Sequence, residues 1–254
     1  MSPYDNAHIE IKSRSELDIM RVSGRILREI LDDLSSMVKV GITTWDLEQR
    51  ARKLFRDHKV RPAFLGYRDF PAALCTSINE EIVHGIPSRD RVLKSGDLVK
   101  IDAGLQYRGF YADSARTIPV GEVDDESRRL MLAARKGLEA GIAQAREGNR
   151  LGDISHAIHE VVHQAGFKVV REYTGHGIGR RLHEPPQIPN FGKAGSGPRL
   201  RHGMVFAVEP MVNAGCWETR TLRDQWTVVT ADGRRSTHFE HTLVVSDDEP
   251  EILT

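Results

Sequence analysis

Two aspartates, Asp102 and Asp113, stand in an otherwise apolar run, and they constrain this chain more than any other feature. The run reads Ile101-Asp102-Ala103-Gly104-Leu105, then Tyr107-Arg108-Gly109, then Phe110-Tyr111-Ala112-Asp113. The pattern predicts two short strands joined by a tight turn at 107–109. With Tyr107 and Arg108 as the turn pair, Asp102 and Asp113 oppose each other across the ladder, Cβ atoms roughly 4.5–5.5 Å apart. Carboxylates that close repel unless a proton or a cation lies between them. Leu98, Val99, Phe110 and Tyr111 flank the pair and disfavour its free solvation. Two metal ions ~3.5–4 Å apart suit that spacing. The stretch alone leaves open a metal site or two exposed hairpin acids.

Helical stripes surround this hairpin. Leu17, Met20, Leu27, Leu31, Leu34 and Val38 recur at steps built from three and four, which predicts one helix with Ser15 as its N-cap. Thr43 or Thr44 starts a second, with Leu47, Ala51 and Leu54 inward. Asp124 or Asp125 starts a third, and 151–165 forms a fourth with Ile154, Ala157, Ile158, Val161, Val162 and Ala165 on its buried side. Short strands are expected at 74–78 and 81–84, and later at 167–172, 205–213, 226–230 and 237–245. Residues 174–201, rich in Gly and Pro, are expected as a long functional loop. The order helix, helix, strands therefore occurs twice. Val83-His84-Gly85-Ile86-Pro87 also echoes Gly175-His176-Gly177-Ile178-Gly179. These features predict an α+β fold in which a duplicated helix-helix-strands unit, related by a pseudo-twofold, surrounds antiparallel sheet. Residues 1–12 are expected as an N-terminal tail and 13–254 as one domain.

Composition removes several classes of function. A chain of 254 residues buries roughly three-quarters of its unfolded surface, so no disulfide or structural metal is needed for folding. The 36 Lys and Arg balance 36 Asp and Glu, unlike a dedicated nucleic-acid binder, which carries a basic excess. Local basic clusters occur at Arg180-Arg181 and at Arg199 and Arg201. Two cysteines, Cys75 and Cys216, make no disulfide framework, and a cytoplasmic setting is expected. Residues 1–12 contain no apolar h-region. No window approaches the roughly 18 uncharged apolar residues of a membrane span, and no dimerisation signal argues against a monomer.

Three further residues invite a metal. His176 lies between Gly175 and Gly177, where the backbone can bend closely round a site. Glu209 follows Val205-Phe206-Ala207-Val208, and Glu240 precedes His241-Thr242-Leu243-Val244. A carboxylate in an apolar strand is costly to bury unless paired or metal-bound, although either glutamate alone also fits a salt bridge. With Asp102 and Asp113 they make an oxygen-rich donor set suited to Mn²⁺, Fe²⁺, Co²⁺ or Mg²⁺ rather than to a thiolate zinc site. His159-Glu160-Val161-Val162-His163 matches the H-E-x-x-H zinc-peptidase pattern. At ~100° per residue, however, His156, His159 and His163 fall opposite the apolar stripe of their helix, and a solvated face is expected there.

Taken together these motifs resemble the type I methionine aminopeptidases of the pita-bread fold, over almost the whole chain. The resemblance rests on Ser77-Ile78-Asn79-Glu80 leading to Val83-His84-Gly85-Ile86-Pro87, on Ile101-Asp102 and Ala112-Asp113, and on Gly175-His176-Gly177-Ile178-Gly179 followed by His183-Glu184. Val208-Glu209-Pro210-Met211, Trp226-Thr227 and Phe239-Glu240-His241-Thr242 complete it. It implies a metal-dependent aminopeptidase that removes N-terminal methionine from nascent proteins with a small second residue, by attack of a metal-bound hydroxide on the first peptide bond. Asp102, Asp113, His176, Glu209 and Glu240 would hold two divalent ions (Co, Mn, Fe or Zn), with Asp113 and Glu240 bridging. Glu209 would shuttle the proton, His183 would bind the carbonyl oxygen and His84 would contact the scissile nitrogen. Tyr67, Phe70, Cys75, Leu182 and Trp226 would line the methionine pocket. The partners implied are nascent N-termini, with the loop at 199–201 a candidate ribosome contact. Leu182 stands where the family carries an aromatic residue, Phe70 where tyrosine is common, and Gln225 where the family's turn carries glycine. Proline-specific peptidases of the same fold, or a binding module lacking metal ligands, are the competing readings.

Overall fold

The helix starts are set by reciprocal side-chain bonds. In this computed structural model, which describes residues 9–254, Ser13 rather than Ser15 opens the first helix. Both its N–H and its Oγ donate to the Glu16 carboxylate at 2.8 Å, and α1 spans Arg14–Met37. Thr43 opens α2 (Thr44–Asp57): its Oγ1 accepts from Asp46 N at 3.1 Å, and the Asp46 carboxylate accepts from Thr43 N at 2.7 Å. This is the capping box that satisfies two orphan donors at once. After the helices come β1 (Arg61–Pro62), β2 (Cys75–Ile78), β3 (Glu81–Val83), β4 (Leu98–Tyr107) and β5 (Phe110–Pro119). The order then repeats with α3 (Asp125–Ala143) and α4 (Leu151–Gln164). The remaining strands are β6 (Lys168–Val169), β7 (Gly175–Gly177), β8 (Glu184–Ile188), β9 (Val205–Val208), β10 (Met211–Asn213), β11 (Thr219–Thr221), β12 (Val228–Thr230), β13 (Ser236–His238), β14 (His241–Val244) and β15 (Glu251–Ile252). Pairing between these strands is antiparallel throughout. The architecture is the α+β pita-bread fold.

Each helix pair covers its own sheet. Leu27, Leu31 and Leu34 of α1 pack with Val99, Ile101 and Leu105 of β4. Leu138 and Ile142 of α3, with Ile154 and Ile158 of α4, pack with Phe206, Val208 and Leu243. Each such side chain contributes roughly 1.5–3 kcal/mol on burial. Gly141 lets α3 and α4 approach, since a Cβ there would lie 2.6 Å from Ile158 Cγ1.

Four expectations need correction. The buried row of α4 is Leu151, Gly152, Ile154, Ser155, Ile158 and Val162, so Ile154, Ile158 and Val162 lie on it as expected, whereas Ala157 and Val161 are only half-buried and Ala165 is exposed. The strand expected at 167–172 shrinks to Lys168–Val169. The long loop expected at 174–201 contains two strands, β7 and β8. Its glycines carry no strand signal, and Pro185 and Pro186 are tolerated because β8 is an edge strand. Finally, Lys12, at the end of the segment expected as a tail, is buried, with Nζ donating to Glu184 at 2.6 Å and Glu10 at 2.7 Å. Residues 1–8 of that segment lie outside the described residues.

Candidate metal centre

The central hairpin turns on Arg108-Gly109, not on Tyr107-Arg108. Both turn residues have positive φ, 48° and 84°, as a two-residue turn matched to strand twist requires. Tyr107 pairs with Phe110, Gly104 with Asp113, and Asp102 with Ala115. Asp102 and Asp113 are therefore diagonal rather than directly opposed. A shift of two residues keeps both on one face, whereas a shift of one would have flipped them. The diagonal widens their backbone separation to roughly 7–8 Å. Gly104 makes room for it: a Cβ there would lie 3.2 Å from Asp113 Oδ1 and 3.0 Å from Phe64 Cε1.

The two glutamates sit between strands rather than inside them. Glu209 falls between β9 and β10, and Glu240 between β13 and β14. Pro210 has no N–H to continue a ladder. β10 pairs with β13 and β14 with β9, so the two breaks lie side by side. The break at Glu240 is stitched to β5 instead. Glu240 N donates to Ala115 O at 3.0 Å, Ser114 Oγ donates to Glu240 O at 2.7 Å, and Thr242 Oγ1 donates to Asp113 O at 2.7 Å. These bonds carry Glu240 to Asp113. His176, on β7 opposite Ala207 of β9, brings Nε2 to 4.0 Å from Asp113 Oδ2 and 3.6 Å from Glu209 Oε1. Its Nδ1 lies 2.9 Å from Gly177 O. With Nδ1 as the donor to that carbonyl, Nε2 keeps its lone pair for a cation.

Ligand atoms of Asp113, His176 and Glu240 all lie within 4.8 Å of one another. Asp102 and Glu209 line the same cavity. Burial pushes the Asp102 carboxyl up to about 7 and that of Glu209 up to about 8. Asp113 and Glu240 are driven well above the carboxylate range, by burial first and then by the neighbouring carboxylates. His176 is lowered to about 3 by burial and by His183. Asp102 Oδ1, Asp113 Oδ1 and Glu240 Oε1 are buried with no hydrogen-bond partner, a condition that costs about 1–3 kcal/mol per group. Among the described residues no Lys or Arg pairs with any of the four acids; their recorded ion-pair contacts are to histidines. Unpartnered oxygens converging on one imidazole fit divalent metal, which supplies the missing positive charge.

The cavity has a volume of about 180 Å³ and is lined by all twelve residues named from the sequence: Tyr67, Phe70, Cys75, His84, Asp102, Asp113, His176, Leu182, His183, Glu209, Trp226 and Glu240. Phe64 and Arg68 line it too, and sequence reasoning missed both. Phe64 reads as one apolar loop residue among several, and Arg68 as an ordinary surface charge. The walls interlock. Phe70 meets Trp226 edge-on at 5.0 Å between ring centroids, and Tyr67 Oη lies 2.9 Å from His183 Nδ1. Cys75 pairs across the ladder with Asp102; burial, then Asp102, raises its thiol pKa, which keeps it neutral. Gln225 adopts the left-handed conformation, φ 66°, that the glycine of the expected turn would take without strain. Asp224 Oδ1 nevertheless accepts from both Trp226 N and Thr227 N at 2.9 Å, so the indole is still presented to the cavity. His238 was also missed, although it lies two residues before Glu240. It is buried, its Nε2 is 3.4 Å from Glu209 Oε2, and neither ring nitrogen has a hydrogen-bond partner.

The H-E-x-x-H segment lies apart from this centre. His163 is exposed and His159 partly so, their rings 5.7 Å apart, and no third ligand joins them among the described residues. A larger groove of about 780 Å³ between α1, α3 and β5 is lined by Arg116, Arg135, Phe239 and His241 among others, and among the described residues no metal-ligating cluster lies in it.

Residues 18–247 match the model of metallopeptidase family M24. The chain is 46% identical over 246 residues to a methionine aminopeptidase of Clostridium acetobutylicum, covering 97% of this chain and 98% of that one. It is 47% identical over 243 residues to methionine aminopeptidase 1 of Bacillus subtilis, covering 96% and 98%. Its fold matches the crystal structure of a methionine aminopeptidase from Thermotoga maritima with TM-score 0.96 at 45% identity, over 97% of this chain and 99% of that one. A prolidase from Pyrococcus furiosus shares the fold at TM-score 0.78 and 20% identity, over 96% of this chain and 65% of that one.

Proposed function

Because this chain belongs to metallopeptidase family M24, we propose that it removes the N-terminal methionine from polypeptides whose second residue is small. The observation that carries this reading is the joining of two parts in one cavity: an apolar wall of Tyr67, Phe70, Cys75, Leu182 and Trp226, and a floor of four acids and His176. The wall accepts one unbranched side chain, and aromatic edges favour a thioether. Asp102, Asp113, His176, Glu209 and Glu240 would hold the divalent metal, whose chemistry when bound is Lewis-acid polarisation of the carbonyl and activation of water.

The chain's own groups do the rest. Glu209, whose carboxylate lies 3.6 Å from His176 Nε2 and 3.4 Å from His238 Nε2, is placed to take a proton and pass it to the leaving amine. If Tyr67 Oη donates to His183 Nδ1, their 2.9 Å contact leaves the proton on Nε2, which would donate to the scissile carbonyl oxygen as charge develops there. Burial lowers His84 to about 4, so it is a neutral imidazole that can accept from, or donate to, the scissile amide. Leu182 keeps the wall apolar where the family carries an aromatic ring. The same reading makes nascent N-termini the substrates, in the cytoplasm, for a monomer whose exposed Arg199 and Arg201 would face a ribosome. Among the described residues no helix is long and apolar enough to cross a membrane.

The test is methionine release from Met-Ala and Met-Lys peptides and alanine release from an Ala-Pro peptide, after metal stripping and reloading with Co²⁺, Mn²⁺, Fe²⁺ or Zn²⁺ in turn. Metal-dependent release from Met-Ala alone is expected, and the most active metal identifies the preferred ion. Turnover of Ala-Pro alone would instead make the protein a proline-specific peptidase.

A further inference from the structure

Arg68 is the one lysine or arginine among the residues lining the cavity, and its role is not explained by the chemistry of methionine. It is exposed, and its guanidinium carbon lies 5.5 Å from the centroid of the Tyr67 ring. No acidic side chain pairs with it among the described residues. The neighbouring Asp69 does not line the cavity.

The backbone beneath it is held in an unusual shape. Gly66, Arg68 and Asp69 all have positive φ, at 81°, 47° and 70°. Two side-chain-bearing residues in succession in the left-handed region are sterically disfavoured and persist only where the surroundings impose them. Here the loop is closed on itself. Gly66 N donates to Phe70 O, Tyr67 N to Phe64 O and Phe70 N to Tyr67 O, each at 2.9 Å. The two residues that flank this short segment, Tyr67 and Phe70, are walls of the cavity. The Arg68 backbone is therefore fixed at the rim, beside Tyr67, which contacts His183.

We propose that Arg68 is a specificity residue that favours substrates with an acidic side chain at the third or fourth position. The inference rests on the methionine-release reading, because it takes the substrate's direction from it. With the methionine side chain in the cavity and the scissile carbonyl at His183, which Tyr67 contacts, we place the rest of the peptide along the Tyr67–Arg68 edge. An extended chain advances roughly 3.3 Å per residue, which brings the third and fourth residues past the rim. A guanidinium offers a carboxylate two parallel N–H donors, and its stacking on Tyr67 limits how many rotamers must be frozen. An ammonium at the same substrate position would meet like charge. The proximity of Arg68 to His183, whose pKa it lowers after burial has done so, agrees with this placement.

The test uses the metal-loaded full chain and C-terminally amidated peptides Met-Ala-Xaa-Xaa, with Xaa Glu, Gln or Lys, so that no terminal carboxylate mimics the side chain. Exposed ion pairs predict a kcat/KM for Glu roughly two- to fivefold above that for Lys, carried mainly in KM. The preference should collapse in molar salt, where the Debye length is about 3 Å. Within Arg68→Gln the three peptides should converge, and within Arg68→Glu their order should invert, each variant being judged against its own Gln peptide. Equal rates in the unsubstituted enzyme, or an unchanged preference in Arg68→Gln, would overturn the role of Arg68 while methionine release stands. No methionine from any of the three would sink the underlying reading, and this one with it.

Discussion

Stripping the metal should make stability fall as pH rises above neutrality. Burial raises Asp102 from 3.8 to about 7 and Glu209 from 4.5 to about 8, and Asp113 and Glu240 are likewise raised well above the carboxylate range. Folded-state values above unfolded ones mean that the native protein holds extra protons across this range. Each held proton makes stability decline by about 1.4 kcal/mol per pH unit as pH rises. The buried histidines act with the opposite sign. His176, His84 and His238 are lowered by burial from 6.5 to about 3, about 4 and about 4. Their stabilising contribution is present above the unfolded value and is lost as pH falls towards the folded one. From about pH 7 to about pH 8 the unfolded histidines are largely neutral, and the carboxyls govern. Glu209 alone then costs about 1 kcal/mol over that unit and Asp102 a few tenths more, an expected loss of at least about 1 kcal/mol, to which Asp113 and Glu240 add in the same direction. Metal requires the deprotonated acids, so the loaded protein should show little of this decline and should release protons on loading. Urea unfolding of chelator-treated and Mn²⁺-loaded protein across this range measures the first. Calorimetric titration of metal in two buffers of different ionisation enthalpy measures the second. A metal-free stability that is flat or rises from about pH 7 to about pH 8, or metal uptake without proton release, would refute the reasoning.

Other outcomes follow from single positions. His238→Leu removes the imidazole beside Glu209 Oε2 and should weaken metal binding roughly 10–100-fold in a Co²⁺ titration, with His238→Gln recovering much of the loss; equal affinity in all three proteins would show that His238 does not orient Glu209. Gly104→Ala puts a Cβ 3.2 Å from Asp113 Oδ1 and should cost about 1–3 kcal/mol as well as metal affinity, read by urea unfolding and by the same titration. Gln225→Gly relieves a left-handed side-chain-bearing residue and should raise stability by roughly 0.5–1 kcal/mol; a lower Tm in calorimetry would contradict this. His159→Ala combined with His163→Ala should leave stability within about 0.5 kcal/mol and methionine release unchanged, whereas lost activity would restore the H-E-x-x-H segment as a candidate centre.

The chain's local patterns determined its helices, its central hairpin and the kinds of donor it would gather. Leu27, Leu31 and Leu34 announce α1 because an apolar stripe at helical spacing has one economical way to be buried. Asp102 and Asp113 announce a shared charge problem because they recur on one hairpin. The donors' arrangement was decided by contacts far apart in the chain. The hairpin register depended on which two residues accept positive φ, and Arg108-Gly109 does so more readily than Tyr107-Arg108. Glu209 and Glu240 look like strand interiors from their apolar neighbours; their place at adjoining breaks follows from Pro210 and from bonds such as Thr242 to Asp113, 129 residues away. β7 was hidden because Gly175 and Gly177 have no side chains to reveal alternation. His238 and Arg68 joined the site only through folding, since nothing in their immediate neighbours shows that one meets Glu209 and the other the cavity rim. Periodicity reports which face of an element is buried, whereas strand pairing and cavity walls depend on partners that local sequence does not name.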